Sequence, residues 1–187
     1  TAAAMSGGVD STAAALLLLR GGHRVEGVTL RLAPCGQDGA EDARAAARAL
    51  NIPHHLFDLT GPFQAQVVEP FVRAYEMGRT PNPCVECNRR IKFGALLELA
   101  RERGWARVAT GHYARLDLDA GSGRWLLKKA ARPDKDQSYV LAMLTQEQLA
   151  RALFPLGELA KEEVRALAAQ AGLANEGGTL EYFPGNA

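Results

Sequence analysis

The chain has 187 residues, 47% of them hydrophobic, and a formal net charge of +1. That is enough apolar material for one good-sized core with a small appendage. The near-neutral charge excludes binding to nucleic acid by global attraction, so any such binding has to come from local patches. The early apolar stretch Ala13 to Leu19 is far shorter than the roughly 20 residues that span a membrane, and no charged segment precedes it as in a signal peptide. A cytoplasmic protein without membrane association is expected. Three cysteines, Cys35, Cys84 and Cys87, are too few for a secreted disulfide framework and point to reduced thiols with chemistry of their own.

Strand-like and helix-like patterns alternate from the start: a strand over Thr1 to Met5, a helix from Thr12, a strand over Arg24 to Leu30, a helix over Glu41 to Leu50 and a strand over His54 to Leu59. Such alternation predicts βαβ units and a parallel sheet flanked by helices, an α/β fold. A helix over Phe63 to Met77 places Phe63, Val67, Phe71 and Tyr75 on one face, as core packing, with Pro70 able to kink it. A Gly/Pro-rich loop, Gly78 to Pro83, leads to a helix with Phe93, Leu96, Leu97 and Ala100 on its apolar side, then a short strand over Val108 to Thr110. Gly121-Ser122-Gly123 predicts a hairpin within Ala114 to Lys129. The last helix is expected over Lys161 to Ala171, with Gly172 as its C-cap. The predicted organisation is a catalytic domain over residues 1–130, including the Cys-x-x-Cys loop, and a small, mainly helical segment over residues 131–187. The start at Thr1, inside a strand pattern, leads us to expect a longer protein extending beyond both ends.

The strongest chemical signal is Ser6-Gly7-Gly8-Val9-Asp10-Ser11, between the first strand and the first helix. Glycines let the backbone turn so that N–H groups converge on an anion, and the helix N-terminus adds a favourable dipole. Ser6, Ser11 and Thr12 can add hydroxyl donors. Asp10 would repel phosphate unless it holds Mg²⁺ or caps backbone N–H groups. The loop lacks the Gly-Lys-Ser/Thr ending that serves γ-phosphate transfer, which argues against motor or kinase chemistry. The alternative is an ordinary Gly-Gly turn with a helix cap.

The second signal is Gly78-Arg79-Thr80-Pro81-Asn82-Pro83-Cys84-Val85-Glu86-Cys87-Asn88, ahead of a helix expected to begin near Ile91. Proximity to that helix N-terminus and to Arg89, Arg90 and Lys92 predicts a thiolate at Cys87, suited to a nucleophile or sulfur carrier. Half of a zinc knuckle and a simple redox pair are the alternatives. Zinc would need two further ligands, such as Cys35 with His54 or His55, and no second pair has ligand spacing. No metal site is expected from these residues, and His54 and His55 read as surface residues.

The glycine loop resembles the PP-loop of the ATP pyrophosphatases. Together with Ile91-Lys92-Phe93-Gly94, Ala109-Thr110-Gly111-His112-Tyr113-Ala114 and Lys135-Asp136-Gln137-Ser138-Tyr139, both motifs, in this order, closely resemble the bacterial tRNA-specific 2-thiouridylase family up to about Gly172. The resemblance implies a Rossmann-like fold, cleavage of ATP between its α and β phosphates with Mg²⁺, tRNA as substrate, and a persulfide donor or relay protein as partner. It implies nucleotide contacts at Met5, Ser6, Gly7, Gly8, Val9, Asp10 and Ser11, with Leu30 and Gly111 bordering the adenine. Asn82, Pro83 and Cys84 would face the target base, and His112, Lys135, Asp136 and Gln137 would contact tRNA. Cys87 would be the sulfur-handling nucleophile, with Cys84 a second catalytic candidate.

The sequence departs from that family in three places. Leu30 stands where Met is common. Cys84 stands where many members carry Asp, so it is either an acid/base or a disulfide partner of Cys87. The family's second catalytic cysteine, in a segment ending Glu-Ile-Cys-Phe, has no counterpart in Thr179-Leu180-Glu181-Tyr182-Phe183-Pro184. Two other functions stay open: a PP-loop ligase or synthetase using ammonia, which would not need Cys87, and a non-catalytic ATP- or tRNA-binding module.

Overall fold

The computed structural model describes residues 1–33 and 39–171. Cys35, the Gly172 cap and the segment from Thr179 to Pro184 therefore lie outside the described residues. The elements are β1 (Ala2–Ala4), α1 (Val9–Arg20), β2 (Glu26–Arg31), α2 (Ala40–Ala49) and β3 (His54–Asp58), then a long helix α3 over residues 60–76 and another, α4, over residues 83–102. They continue with β4 (Val108–Ala109), β5 (Ala114–Leu118), β6 (Trp125–Lys129), α5 (Gln146–Arg151), β7 (Ala152–Leu153) and α6 (Lys161–Gln170).

Five parallel strands form the main sheet in the order β3-β2-β1-β4-β7, and β5 pairs with β6 as a separate antiparallel hairpin. The parallel α/β architecture expected from the alternating pattern is the one observed. β1 sits at the centre, with Ala2 opposite Glu26 on one side and Val108 on the other. Successive residues of a strand face opposite ways. Ala2, Val28 and Val108 accordingly pack with Phe93, Leu96 and Trp105 on the α4 face, while Ala3, Met5 and Ala109 pack with Ala15, Leu18, Ala43 and Ala47 of α1 and α2 on the other. Small alanines let both helix layers approach closely. Phe93 and Leu96, without exposed surface, each stabilise the fold by roughly 2 kcal/mol.

The chain builds outward from β1 to β2 and β3, then crosses back to add β4 on the other side. That reversal leaves a crevice at the carboxyl ends of β1 and β4, the place where open α/β sheets bind ligands. β7 completes the sheet from beyond residue 130, and α6 packs Val164 and Ala168 onto Ala13, Ala14 and Leu16 of α1. Neither α5 nor β7 carries a periodic signal long enough to read in advance. Hairpin β5-β6 turns on Asp119, whose carboxylate accepts bonds from the Ser122 amide (2.9 Å) and hydroxyl (2.5 Å).

Two helices contain π-helical stretches, Gln64–Val68 in α3 and Cys87–Ala95 in α4. In α3 the wider turn precedes Pro70, which lacks the N–H needed for a regular ladder. It also shifts the phase of the apolar stripe: Val67 is buried, but Tyr75 is 66% exposed. The expected core role for Tyr75 is therefore corrected.

Candidate functional site

The turn from β1 into α1 is locked by its own hydroxyls. The Ser6 amide donates to Ser11 Oγ (3.1 Å), and Ser11 Oγ in turn donates to the Gly8 carbonyl (3.0 Å). Gly7 has φ +79°, and a Cβ there would lie 2.6 Å from Asp42 Cβ and 2.8 Å from the Gly39 oxygen. Only glycine fits such a left-handed turn against a neighbouring backbone. Helix α1 begins after Gly8, and among the described residues no side-chain cap closes its N-terminus. Those amides and the helix dipole form a ready anion site.

A cavity of about 260 Å³ opens beside this turn, in the crevice at the sheet reversal. It is lined by Met5, Ser6, Asp10, Ser11, Leu30, Gly111, His112 and Gln137, all singled out from the sequence, and by Val28, Thr29, Leu32, Lys92 and Thr110, which were given no place in it. Gly111 packs against the start of α1 so closely that a Cβ would meet Asp10 C and Ser11 N at 3.0 Å. A larger hollow of about 400 Å³ is bordered by Leu17, His23, Arg107, Trp125 and Phe154. None of the sequence-selected site residues lines it, whereas eight of them line the smaller cavity.

Asp10 neither caps backbone amides nor stands alone. Its Oδ1 accepts from the Tyr113 hydroxyl (2.9 Å), and Lys161 Nζ reaches Oδ1 at 2.7 Å and Oδ2 at 2.6 Å. Burial and the Asp10 charge push the Tyr113 hydroxyl far above its ordinary range, so it remains a donor. The Tyr113 amide donates to Gln137 Oε1 (3.1 Å) and the Gln137 amide to the Tyr113 carbonyl (2.9 Å), tying the 130s loop to the strand end. No local pattern in the sequence links Lys161 to a residue 151 positions earlier.

His112 follows β4, with Nδ1 2.8 Å from Thr110 Oγ1 and its ring edge-on to Phe154. It keeps some accessible edge. Even so, burial, aided by the Lys92 charge, lowers its pKa to about 3, so the imidazole is neutral at physiological pH. Asp136 is engaged with the backbone: its Oδ1 accepts from the Ala130 amide (2.8 Å), and its Oδ2 from the Ser138 hydroxyl (2.8 Å). Lys135 is exposed. His54 and His55 are half-buried rather than superficial, with His54 Nε2 2.9 Å from Thr29 Oγ1 and His55 Nε2 2.9 Å from Glu26 Oε2.

Helix α4 starts at Pro83, not near Ile91, so Cys84 and Cys87 lie within its first turns. Asn82 caps it, its Oδ1 accepting from the Cys84 amide at 3.0 Å. Both cysteines are free thiols. The expectation of a resting thiolate at Cys87 is overturned. Burial raises its pKa above the ordinary thiol value and outweighs the Lys92 charge, while Cys84 adds to the rise. The π-helical register, with its i→i+5 spacing, brings residue 92 towards the face of residue 87. Lys92 thus lines the cavity while its charge also acts on Cys87. Asn82, Pro83, Cys84 and Cys87 do not line that cavity. Among the described residues no three His, Cys, Asp or Glu side chains are grouped to hold a metal, and no helix is long and apolar enough to cross a membrane.

A family model described as the tRNA methyl transferase HUP domain matches residues 1–178. Among similar proteins, the tRNA-specific 2-thiouridylase MnmA of Heliobacterium modesticaldum is 48% identical, covering 91% of this chain and 47% of that protein. The protein of the same name from Desulforudis audaxviator is 51% identical, covering 92% and 49%. The chain thus spans about half the length of the curated relatives it matches. Solved structures with this fold include the NMN synthetase of Francisella tularensis (TM-score 0.57, 18% identity, 92% of this chain and 61% of that one). Another is the predicted subunit of a tRNA methyltransferase from Methanocaldococcus jannaschii (TM-score 0.55, 17% identity, 90% and 73%).

Proposed function

The chain belongs to the tRNA methyl transferase HUP domain family, and from that premise we propose that it is the ATP-using part of a tRNA 2-thiouridylase acting in the cytoplasm. The observation that carries this reading is the cavity at the sheet reversal, where an uncapped helix N-terminus and two serine hydroxyls meet an apolar wall of Val28, Leu30 and Leu32. Such a site suits a nucleotide, with its phosphates on the amides and its adenine against the apolar wall between Leu30 and Gly111. Asp10 is the one carboxylate lining the cavity among the described residues, so Mg²⁺ would arrive on the phosphates rather than in a protein cage. The relatives' names favour thiolation over the synthetases that share only the fold.

The chemistry starts from a poor leaving group, the 2-carbonyl oxygen of uridine. That oxygen attacks the α-phosphorus of ATP, pyrophosphate leaves, and the oxygen is now carried as AMP. The terminal sulfur of a Cys87 persulfide then attacks C2, and AMP departs. A second thiol attacks the Cys87 sulfur, the S–S bond to the nucleobase breaks to leave the thiocarbonyl, and a protein disulfide forms. Cys84, three residues away on the same helix, is the second thiol we propose from the described residues. A persulfide is more acidic than a thiol, so a Cys87 that rests protonated still carries an ionised terminal sulfur once loaded. Asn82 and Pro83, at the start of α4, face the target base in this reading, and His112, Lys135, Asp136 and Gln137 contact tRNA near the cavity mouth.

The test is to incubate the protein with ATP, Mg²⁺, unmodified tRNA and a persulfide donor. Thiouridine is read by mercury-gel retardation and pyrophosphate by a coupled assay. Both products are expected; the absence of both would remove the proposal, and tRNA binding without pyrophosphate release would leave a non-catalytic module.

A further inference from the structure

Helix α6 begins with Lys161, an electrostatically poor position, because a cation there faces the positive end of the helix dipole. The compensation lies across the interface with α1. Lys161 Nζ contacts both carboxylate oxygens of Asp10, at 2.7 and 2.6 Å, and stands 5.9 Å over the Tyr113 ring, whose hydroxyl bonds to the same carboxylate. Their side chains are only 17% and 32% exposed, so water screens this pair incompletely. Lys161 itself does not line the cavity, whereas Asp10 does. Its placement does not depend on the ion pair, since Val164 and Ala168 fix α6 against Ala13, Ala14 and Leu16.

We infer that Lys161 is a positioning residue for the nucleotide: it supplies the counter-charge that keeps Asp10 from repelling the incoming phosphates. The proposal rests on the nucleotide reading of the cavity. A carboxylate at the first turn of α1 lies among the same amides that an anion would use, and unpaired it competes with that anion. With Lys161 and Tyr113 on it, Asp10 becomes a neutral corner of the cradle. A lysine that gripped the phosphates directly would behave differently, because its loss could not be offset by removing Asp10.

That contrast defines the experiment, a titration of ATP with Mg²⁺ into the full chain by calorimetry, with nucleotide-free thermal melting as the check on folding. Lys161→Met is expected to weaken ATP binding about 10-fold or more, and Lys161→Arg to restore it to within about 3-fold. The decisive pair is Asp10→Asn against Asp10→Asn/Lys161→Met. Equal affinities, within about 3-fold, support the counter-charge role; a double variant that binds much more weakly than Asp10→Asn overturns it. This comparison stands even if Lys161→Met alone fails to fold. Failure of the unmutated chain to bind ATP would instead overturn the nucleotide reading itself.

Discussion

Around Asp10 an ionic network is complete before any ligand arrives, with Lys161 and Tyr113 on its carboxylate, whereas around Cys87 burial keeps the thiol protonated and the Lys92 charge opposes it without prevailing. The cradle is preorganised: its dipoles and charges stand in place before any anion arrives, which is the condition under which electrostatic stabilisation is most effective. The cysteine helix is held in reserve. A protonated thiol resists oxidation and stray alkylation, and in the proposed reaction it becomes a strong nucleophile only after sulfur is loaded. The two regions meet at Lys92, which lines the cavity and acts on both Cys87 and His112.

Substitutions on either side test this division of labour and should separate nucleotide binding from sulfur transfer. The largest effect is expected from Cys87→Ser, which should lower thiouridine formation by on the order of 10³-fold or more while ATP affinity measured by calorimetry stays within about 2-fold. Thiolation persisting in that variant would mean that sulfur does not pass through this residue. Next comes Gly111→Ala. The added Cβ meets Asp10 C and Ser11 N at 3.0 Å, so the strand end must move off α1, and ATP affinity should fall about 10- to 100-fold with cysteine alkylation rates unchanged.

The smallest effect is a pH dependence at the junction. His112 in the folded chain has its pKa at about 3, against an ordinary value of 6.5. Its contribution to stability is therefore intact above about pH 6.5 and is lost as pH falls towards 3, because the unfolded chain takes up a proton that the folded one refuses. Urea unfolding should show a loss of about 1–2 kcal/mol between pH 7 and pH 5 that His112→Gln abolishes. An unchanged acid limb in the variant would assign the loss to other groups.

Much of the scaffold was readable because its signals are local. The strand, Gly-Gly turn and helix sequence of residues 1–20 carries its own geometry, and the alternation that follows leaves few alternatives to a parallel sheet. The failures also have local causes. α4 starts earlier than its sequence suggests because Pro83 looks like loop there, whereas at the first helical position it needs no N–H partner and favours the helix. The ionisation of Cys87 differs from expectation because nearby cations are visible in a sequence and burial is not. Tyr75 falls outside the core because the π-helical stretch before it breaks the 3.6-residue period of the sequence.

Chain chemistry alone was sufficient for the glycine turn, the alternation of strands and helices through β3, and the Cys-x-x-Cys spacing of Cys84 and Cys87, since each depends on residues within a few positions of one another. The pairing of Asp10 with Lys161, the neutral state of His112 and the protonated state of Cys87 depend on groups brought together from distant parts of the chain. Desolvation and through-space charge act over distances in space, and only the folded chain sets those distances.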